Sequence, residues 1–157
     1  MLLRMSLCLC MVTAPISARA DWQYAAWGMS PEGVIAASKG VAVRADNPAV
    51  ARNGERRLLV APYATNNIPF IVHFWFTVGE PKLVRVSLGT QYDADCPNVR
   101  SLLANIYGEP QVSEPGPPSS LRWRSNATGN FIAFSQYSDP RCVLDYYPIP
   151  IPGPPGL

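Results

Sequence analysis

Hydrophobic and polar residues alternate most regularly between residues 70 and 89. A strand is predicted over 70–78, and residues 83–89 alternate again after a turn at 79–82, so the two segments predict an antiparallel hairpin. The apolar face of the first strand is formed by Phe70, Val72, Phe74, Phe76 and Val78, and its other face by Ile71, His73, Trp75 and Thr77. In the second strand Val84, Val86 and Leu88 alternate with Arg85 and Ser87.

Five shorter segments predict further strands, and two helices separate the groups. Ser30 is expected to cap the first helix, with Pro31 in its first turn and Gly40 at its end. The second helix begins near Asp95 and ends at Gly108, and its apolar positions recur with helical spacing. Residues 46–57 are expected to form a polar break and 113–120 a proline-rich loop. The shorter strands are predicted at 41–45, 58–63, 121–125, 131–137 and 142–147.

The order of helix, strands, helix and strands predicts the α+β class. The expected architecture is an antiparallel β-sheet with two short helices packed on one face. The same order is compatible with a degenerate helix-plus-strands duplication. Seventeen prolines and eleven glycines in 157 residues favour turns over long helices, which argues against a helical bundle.

The first twenty residues are predicted to form a signal peptide. Arg4 gives a positive start, an apolar stretch follows, and Ala18 and Ala20 make a small-x-small cleavage site with Asp21 as the new N-terminus. A membrane-spanning helix needs about 20 apolar residues, and this stretch is shorter. We therefore expect one domain over 21–147 and a proline-rich tail over 148–157. The mature protein is expected to be soluble and periplasmic or secreted, with no membrane insertion.

Charge gives no indication of a polyanionic partner. The chain carries thirteen basic and eleven acidic residues, and the loss of Arg4 and Arg19 with the signal peptide makes the two numbers equal. A nucleic-acid-binding surface normally has an excess of Lys and Arg. Nucleic acid is therefore not an expected partner.

Cys96 and Cys142 remain after the predicted cleavage and are expected to form a disulfide. An even number of cysteines in an exported chain is typical of a structural bond, and no Cys-x-x-Cys redox motif is present. Such a bond would join the beginning of the second helix to the last strand.

Few residues in the sequence are candidates for catalysis or metal binding. His73 is the sole histidine, which excludes metal sites built from two or three histidines. His73 with Asp93 or Asp95 is one enzyme hypothesis, but a position on the less buried face of the sheet explains His73 more simply. The two aspartates could also bind a hard cation, whereas a helix N-cap explains them without one. No metal or cofactor is predicted.

Aromatic residues give the candidate binding surface. If the sheet face beside Ile71 and Trp75 is open, these residues and neighbours such as Trp123 or Tyr146 would form an apolar patch of the kind that marks binding sites. The alternative is that the N-terminal segment or the proline-rich tail covers that face. The candidate surface comprises Trp22, Tyr24, Trp27, Ile71, His73 and Trp75.

Two short motifs carry a resemblance to known proteins. Residues 27–32 read Trp-Gly-Met-Ser-Pro-Glu and residues 107–110 read Tyr-Gly-Glu-Pro. The chain resembles small exported bacterial proteins of unknown function that carry such motifs. Its order of elements resembles the beta-lactamase-inhibitor-protein-like fold over most of the mature chain. The resemblance implies an α+β fold and a periplasmic setting, and it transfers no catalytic residue.

Three functions are compatible with these patterns. The first is a non-catalytic protein that binds another envelope protein. The second is a carrier of a small apolar ligand or lipid between helices and sheet, in a pocket lined by Phe70, Phe74, Phe76 and Leu103. The third is an enzyme, for example a hydrolase, that uses His73.

Overall fold

The computed structural model describes residues 22–92, 95–137 and 141–150. In chain order the elements are α1 (Pro31–Ala37), β1 (Val43–Val50), β2 (Arg56–Thr65), β3 (Ile68–Phe76), β4 (Leu83–Thr90), α2 (Cys96–Tyr107), β5 (Val112–Glu114), β6 (Ser119–Ser125), β7 (Asn130–Gln136) and β8 (Cys142–Pro148). The predicted antiparallel sheet with two helices is confirmed, although the sheet dominates the fold. The predicted signal peptide with Ala18, Ala20 and Asp21, and residues 151–157 of the tail, lie outside the described residues.

Within the described residues, the strands form one open sheet of eight, in the order β1-β2-β3-β4-β8-β7-β6-β5. All neighbouring strands are antiparallel. A helix followed by four strands therefore occurs twice along the chain. Strands β5 to β8 follow one another across the sheet in the direction opposite to strands β1 to β4. The last strands of the two groups, β4 and β8, therefore meet in the middle of the sheet.

The strand β3 shows why one face of the sheet is buried. Its alternate residues Phe70, Val72, Phe74 and Phe76 are buried, as predicted from their spacing. Val78 was expected on the same face, but it lies beyond the strand and is 64% exposed. The strand ends earlier because the Thr77 N–H donates to the Lys82 carbonyl, which closes the hairpin turn.

A bulge corrects the predicted alternation of β4. Trp75 is opposite Arg85, whereas its neighbour Phe76 is opposite Leu83, so that Val84 is an extra residue in the ladder. Leu83 is consequently buried and Val84 only half-buried. Beyond the bulge the predicted pattern resumes, since Val86 is buried in the core.

The two edges of the sheet differ most from prediction. β1 continues to Val50, through residues expected to form a polar break. β5 occupies part of the predicted proline-rich loop, where Val112 is opposite Arg122. All three residues of β5 are exposed. An edge strand that buries little has no need of alternating hydrophobicity, and its sequence therefore resembles a loop.

Local hydrogen bonds set the ends of the helices. Oγ of Ser30 accepts a hydrogen bond from the Gly33 N–H at 3.1 Å, which confirms the predicted cap of α1. α1 ends at Ala37, earlier than expected from Gly40. α2 ends before Gly108, whose φ of 77° is the left-handed conformation expected there. Asp95 occupies the N-cap position of α2, but its side chain makes no capping hydrogen bond.

The N-terminal segment 22–30 contributes to the same core as the helices. Trp22 packs edge-on against Phe74, with ring centroids 5.8 Å apart. The Trp27 indole N–H donates to Oδ1 of Asn130 at 3.0 Å in the buried interior. Val34 of α1 and Leu103 of α2 join the same hydrophobic cluster. One face of the sheet is therefore covered from both halves of the chain.

Cys96 and Cys142 form the predicted disulfide, with Cα atoms 5.8 Å apart. The bond ties the first turn of α2 to the first residue of β8. Disulfides persist in oxidising compartments, so the bond is compatible with an extracytoplasmic location. Within the ranges described above, no helix combines the length and the apolar character that crossing a membrane requires.

Replacing both cysteines with alanine should lower the free energy of unfolding. The bond joins residues 46 positions apart, and the chain-entropy model gives about 4 kcal/mol for a loop of that length. Urea unfolding of the Cys96→Ala/Cys142→Ala variant beside the oxidised wild type measures the loss. A difference below about 1 kcal/mol would show that the bond adds little to the fold.

Candidate functional site

The sheet face opposite the helices, here called the open face, is formed by residues that alternate with the core. Ile71 is 38% exposed there, and His73 and Trp75 are half-buried. Cross-strand pairing arranges the face in rows that run across the strands. One row contains Val60, His73, Ser87, Asp145, Ala133 and Arg122, and the next contains Pro62, Ile71, Gly89, Val143, Ser135 and Ser120.

A charged cluster occupies the middle of the open face. Nε of Arg85 donates to Oε2 of Glu55 at 2.6 Å, and Nη1 donates to Oδ1 of Asp145 at 3.4 Å. The guanidinium lies 4.0 Å from the centroid of the Trp75 ring. The side chains of Arg85, Glu55 and Asp145 are only 13, 14 and 15% exposed. We call these four residues, together with Ser87, the Arg85 cluster.

Opposing effects act on the pKa of Asp145, and burial is the largest of them. Burial raises the pKa of its carboxyl, while the hydrogen bond that it accepts from Ser87 and the positive charge of Arg85 act in the opposite direction. A buried carboxylate without such partners is costly. The Arg85 cluster is therefore a mutually dependent set of charges.

His73 is held neutral by its surroundings. Burial, together with the positive charges of Arg57 and Arg85, lowers the pKa of His73 from 6.5 to about 4. Nδ1 of His73 and Oδ2 of Asp95 are both buried without a hydrogen-bond partner, so these two atoms do not bond to each other. Asp93 lies outside the described residues. The structure therefore lends no support to a catalytic pair of His73 and Asp95.

The residues of the candidate binding surface lie on opposite sides of the sheet. Ile71, His73 and Trp75 are on the open face, whereas Trp22 and Trp27 are buried in the core. Tyr24 packs against that core, with its ring centroid 6.3 Å from that of Phe74. The six residues consequently do not form one surface.

Trp123 and Tyr146 were expected beside Trp75, and the register of the strands corrects this. Both pair with Ile132, which is fully buried, so both point towards the core. The open face instead receives the residues next to them, Arg122 and Asp145. In residues 121–124, Leu121 and Trp123 alternate with two arginines. This alternation was the sequence signal that Trp123 points towards the core and Arg122 towards the open face.

Sequence reasoning missed the Arg85 cluster. A charged residue within an otherwise apolar strand is a usable signal, and both Arg85 and Asp145 fit that description. Glu55 precedes its strand in a polar segment and gave no such signal. Its position beside Arg85 follows only from the pairing of the strands.

Two cavities open on this face. The first has a volume of about 500 Å³ and lies at one end of β3, β4 and β8; Ile71, His73, Gly89, Gln91, Tyr137 and Val143 are among its lining residues. The second measures about 410 Å³ and is lined in part by Arg122, Phe131, Ser135, Asp145 and Tyr147. The four residues of the predicted carrier pocket, Phe70, Phe74, Phe76 and Leu103, line neither cavity and are buried in the core.

Among the residues that the structure describes, no group of three or more His, Cys, Asp or Glu side chains could hold a metal ion. Comparisons with protein-family models, with curated protein sequences and with solved structures find no match to this chain.

The imidazole of His73 should titrate near pH 4, because its surroundings disfavour the charged form. His73 is the sole histidine in the sequence, so its ring resonances in a proton NMR titration are unambiguous. A titration midpoint near pH 6.5 would contradict the burial and the neighbouring positive charges described for His73.

The lowered pKa of His73 also makes the free energy of unfolding depend on pH. A histidine with a lowered pKa binds fewer protons in the folded than in the unfolded state, so the free energy of unfolding should fall as the pH drops from 6.5 towards 4. The His73→Gln variant should lose this component of the pH dependence, which urea unfolding at several pH values measures.

Arg85→Gln should destabilise the protein by about 3 kcal/mol, since it leaves two largely buried carboxylates without their cation. Arg124→Gln is the matched control, because Arg124 is exposed on the same face, and its effect should stay within about 0.5 kcal/mol. The Arg85→Gln/Asp145→Asn double variant should lose less than the sum of the two single losses. Additive losses would mean that the two side chains do not depend on each other.

Proposed function

We propose that this is an exported, non-catalytic protein that binds another envelope protein through its open face. The observation that carries the proposal is the Arg85 cluster, which holds an arginine between Trp75 and two acids in the middle of a half-exposed sheet face. Trp, Tyr and Arg dominate the binding energy of protein interfaces, especially near their centres. An arginine fixed by Glu55 and Asp145 loses little further side-chain freedom on binding.

The dimensions of the open face suit a folded partner. With strands spaced by about 4.8 Å, a sheet of eight strands is about 35 Å wide. Strands of seven to nine residues are about 25 Å long. A standard protein interface buries about 800 Å² on each partner, which such a face can supply.

The edges of the sheet favour binding by the face over the addition of a strand. β1 contains Pro48 and a register shift between Arg44 and Ala49, and β5 has only three residues. A bulge, a proline and a short edge strand all discourage pairing with another chain. A partner that adds a strand would therefore find two poor edges.

The location proposed for this function is the periplasm or the outside of the cell. The predicted signal peptide, the disulfide and the resemblance to small exported bacterial proteins all support it. The repeated order of one helix and four strands supports the interpretation of a degenerate duplication. In such a duplication the meeting of β4 and β8 would join the two halves.

The carrier hypothesis has less support. Its predicted pocket between helices and sheet would use Phe70, Phe74, Phe76 and Leu103, and these side chains are buried members of one hydrophobic cluster. None of these four side chains lines either of the two cavities described above, so neither cavity corresponds to the predicted pocket.

Site-specific photocrosslinking tests the proposed partner. A photoreactive phenylalanine at Ile71, on the open face, should capture one discrete protein in the envelope of the producing cell. The same residue at Ile106 is the matched control, because Ile106 is 59% exposed but lies on α2. The species captured from Ile71 should also be captured from Val143, its neighbour on the open face. Equal capture from Ile106, or none from Ile71, would contradict the proposal.

A further inference from the structure

The second cavity lies on the open face above three neighbouring strands, β6, β7 and β8. The pairing of these strands arranges the lining side chains in three rows. In order, the rows are Phe131 with Tyr147, Ala133 between Arg122 and Asp145, and Ser120 with Ser135. The shortest of these side chains is in the centre, and larger or polar groups surround it.

Aromatic rings form one side of the second cavity. The ring centroids of Phe131 and Tyr147 are 6.5 Å apart, and both residues are half-buried. Aromatic rings offer a large apolar surface, and contact with C–H groups of a ligand adds dispersion energy. This side of the cavity therefore suits the apolar face of a ring.

Hydroxyl groups form the opposite side of the second cavity. Ser120 and Ser135 are directly opposite each other in β6 and β7, and Ser120 is only 8% exposed. Neither hydroxyl makes a hydrogen bond with a described residue. A hydroxyl can donate one hydrogen bond and accept others, and covering it without a partner costs free energy. A purely apolar ligand would therefore be disfavoured on this side.

The charged side chains of the lining already have counter-ions. Arg122 contacts Glu114 at 3.0 Å, and Asp145 contacts Arg85 at 3.4 Å. Both the Arg85 and the Ser87 hydrogen bonds end on Oδ1 of Asp145, whereas Oδ2 accepts none from a described residue. Oδ2 is thus an acceptor for the O–H group of a ligand, and a neutral ligand is favoured over an ion.

We propose that the second cavity binds a neutral saccharide through a glucose-like pyranose ring. Such a ring combines C–H faces with hydroxyl groups around its edge. One face packs against Phe131 and Tyr147. The hydroxyl groups donate to Oδ2 of Asp145 and exchange hydrogen bonds with Ser120 and Ser135. The volume of about 410 Å³ lies within the range of small-molecule sites, about 300–1,000 Å³. This site does not depend on the proposed protein partner.

Methyl β-glucoside is the probe, titrated into the uniformly labelled protein and followed by amide NMR. All its ring substituents are equatorial, which leaves C–H groups on both faces of the ring. Saturable shifts should appear at Phe131, Ala133, Ser135 and Asp145. Cyclohexanol keeps a ring with a single hydroxyl, and glycerol keeps hydroxyls without a ring. Both should bind at least about tenfold more weakly than the glucoside. Glucosamine and glucuronate, which carry opposite charges, should also bind more weakly.

Ala133→Val tests the centre of the cavity. Valine suits a strand, and Ala133 lies beside open space, so the protein should remain folded while glucoside affinity drops at least about tenfold. Ala64→Val is the matched control and should leave the affinity unchanged. Ala64 is exposed, is opposite Pro69 on the open face and lines neither cavity.

Ser135→Ala is a smaller change that removes one oxygen atom. It should weaken glucoside binding roughly fivefold, the value expected for one hydrogen bond. Phe131→Leu keeps an apolar side chain without the flat ring and should weaken binding roughly tenfold. The melting temperature of each variant shows whether it is folded.

Three results would overturn the proposal. They are the absence of saturable shifts with methyl β-glucoside, equal affinity for cyclohexanol, and undiminished glucoside affinity in the Ala133→Val and Ser135→Ala proteins. The crosslinking experiment involves no saccharide, so its outcome judges the protein partner separately.

Discussion

The structure depends on the contact between β4 and β8, where its two four-stranded halves meet. Only four Cα pairs form this junction, from Val86 opposite Tyr146 to Gly89 opposite Val143. Different interactions reinforce it on each face. Leu88 and Leu144 meet in the core, while Arg85 and Ser87 bond to Asp145 on the open face. At the end of the junction, Thr90 lies beside the disulfide that ties α2 to β8.

The Arg85 cluster contributes more to specificity than to net stability. A buried ion pair recovers little more than the cost of removing its charges from water, yet the loss of one partner is expensive. A register slip of one residue between β4 and β8 would move Asp145 to the core face and separate it from Arg85. The cluster therefore penalises the wrong alignment of the two halves. Its Arg85 also adds to the effects of burial and of Arg57, which lower the pKa of His73.

Sequence patterns predicted those structural features that are set by residues close together in the chain. The alternation in β3, the cap at Ser30 and the turn at Gly108 are local, and the disulfide followed from the small number of cysteines. The burial of Trp27 depends on Asn130, 103 positions away, and the Arg85 cluster brings together three strands and a loop. Such contacts require the strand order, which alternation alone does not determine. β5 was missed for a different reason, because an edge strand that buries nothing has no hydrophobic pattern.

The proposed protein partner would bind where the two halves of the sheet meet. Ile71 belongs to the first half and Val143 to the second, and both flank Gly89 on the open face. A partner seated on the open face between them would therefore contact both halves at once. A ligand that binds only the folded state raises the free energy of unfolding by linkage. Because such a partner would require β4 and β8 to be correctly paired, its binding would stabilise the junction on which the rest of the structure depends.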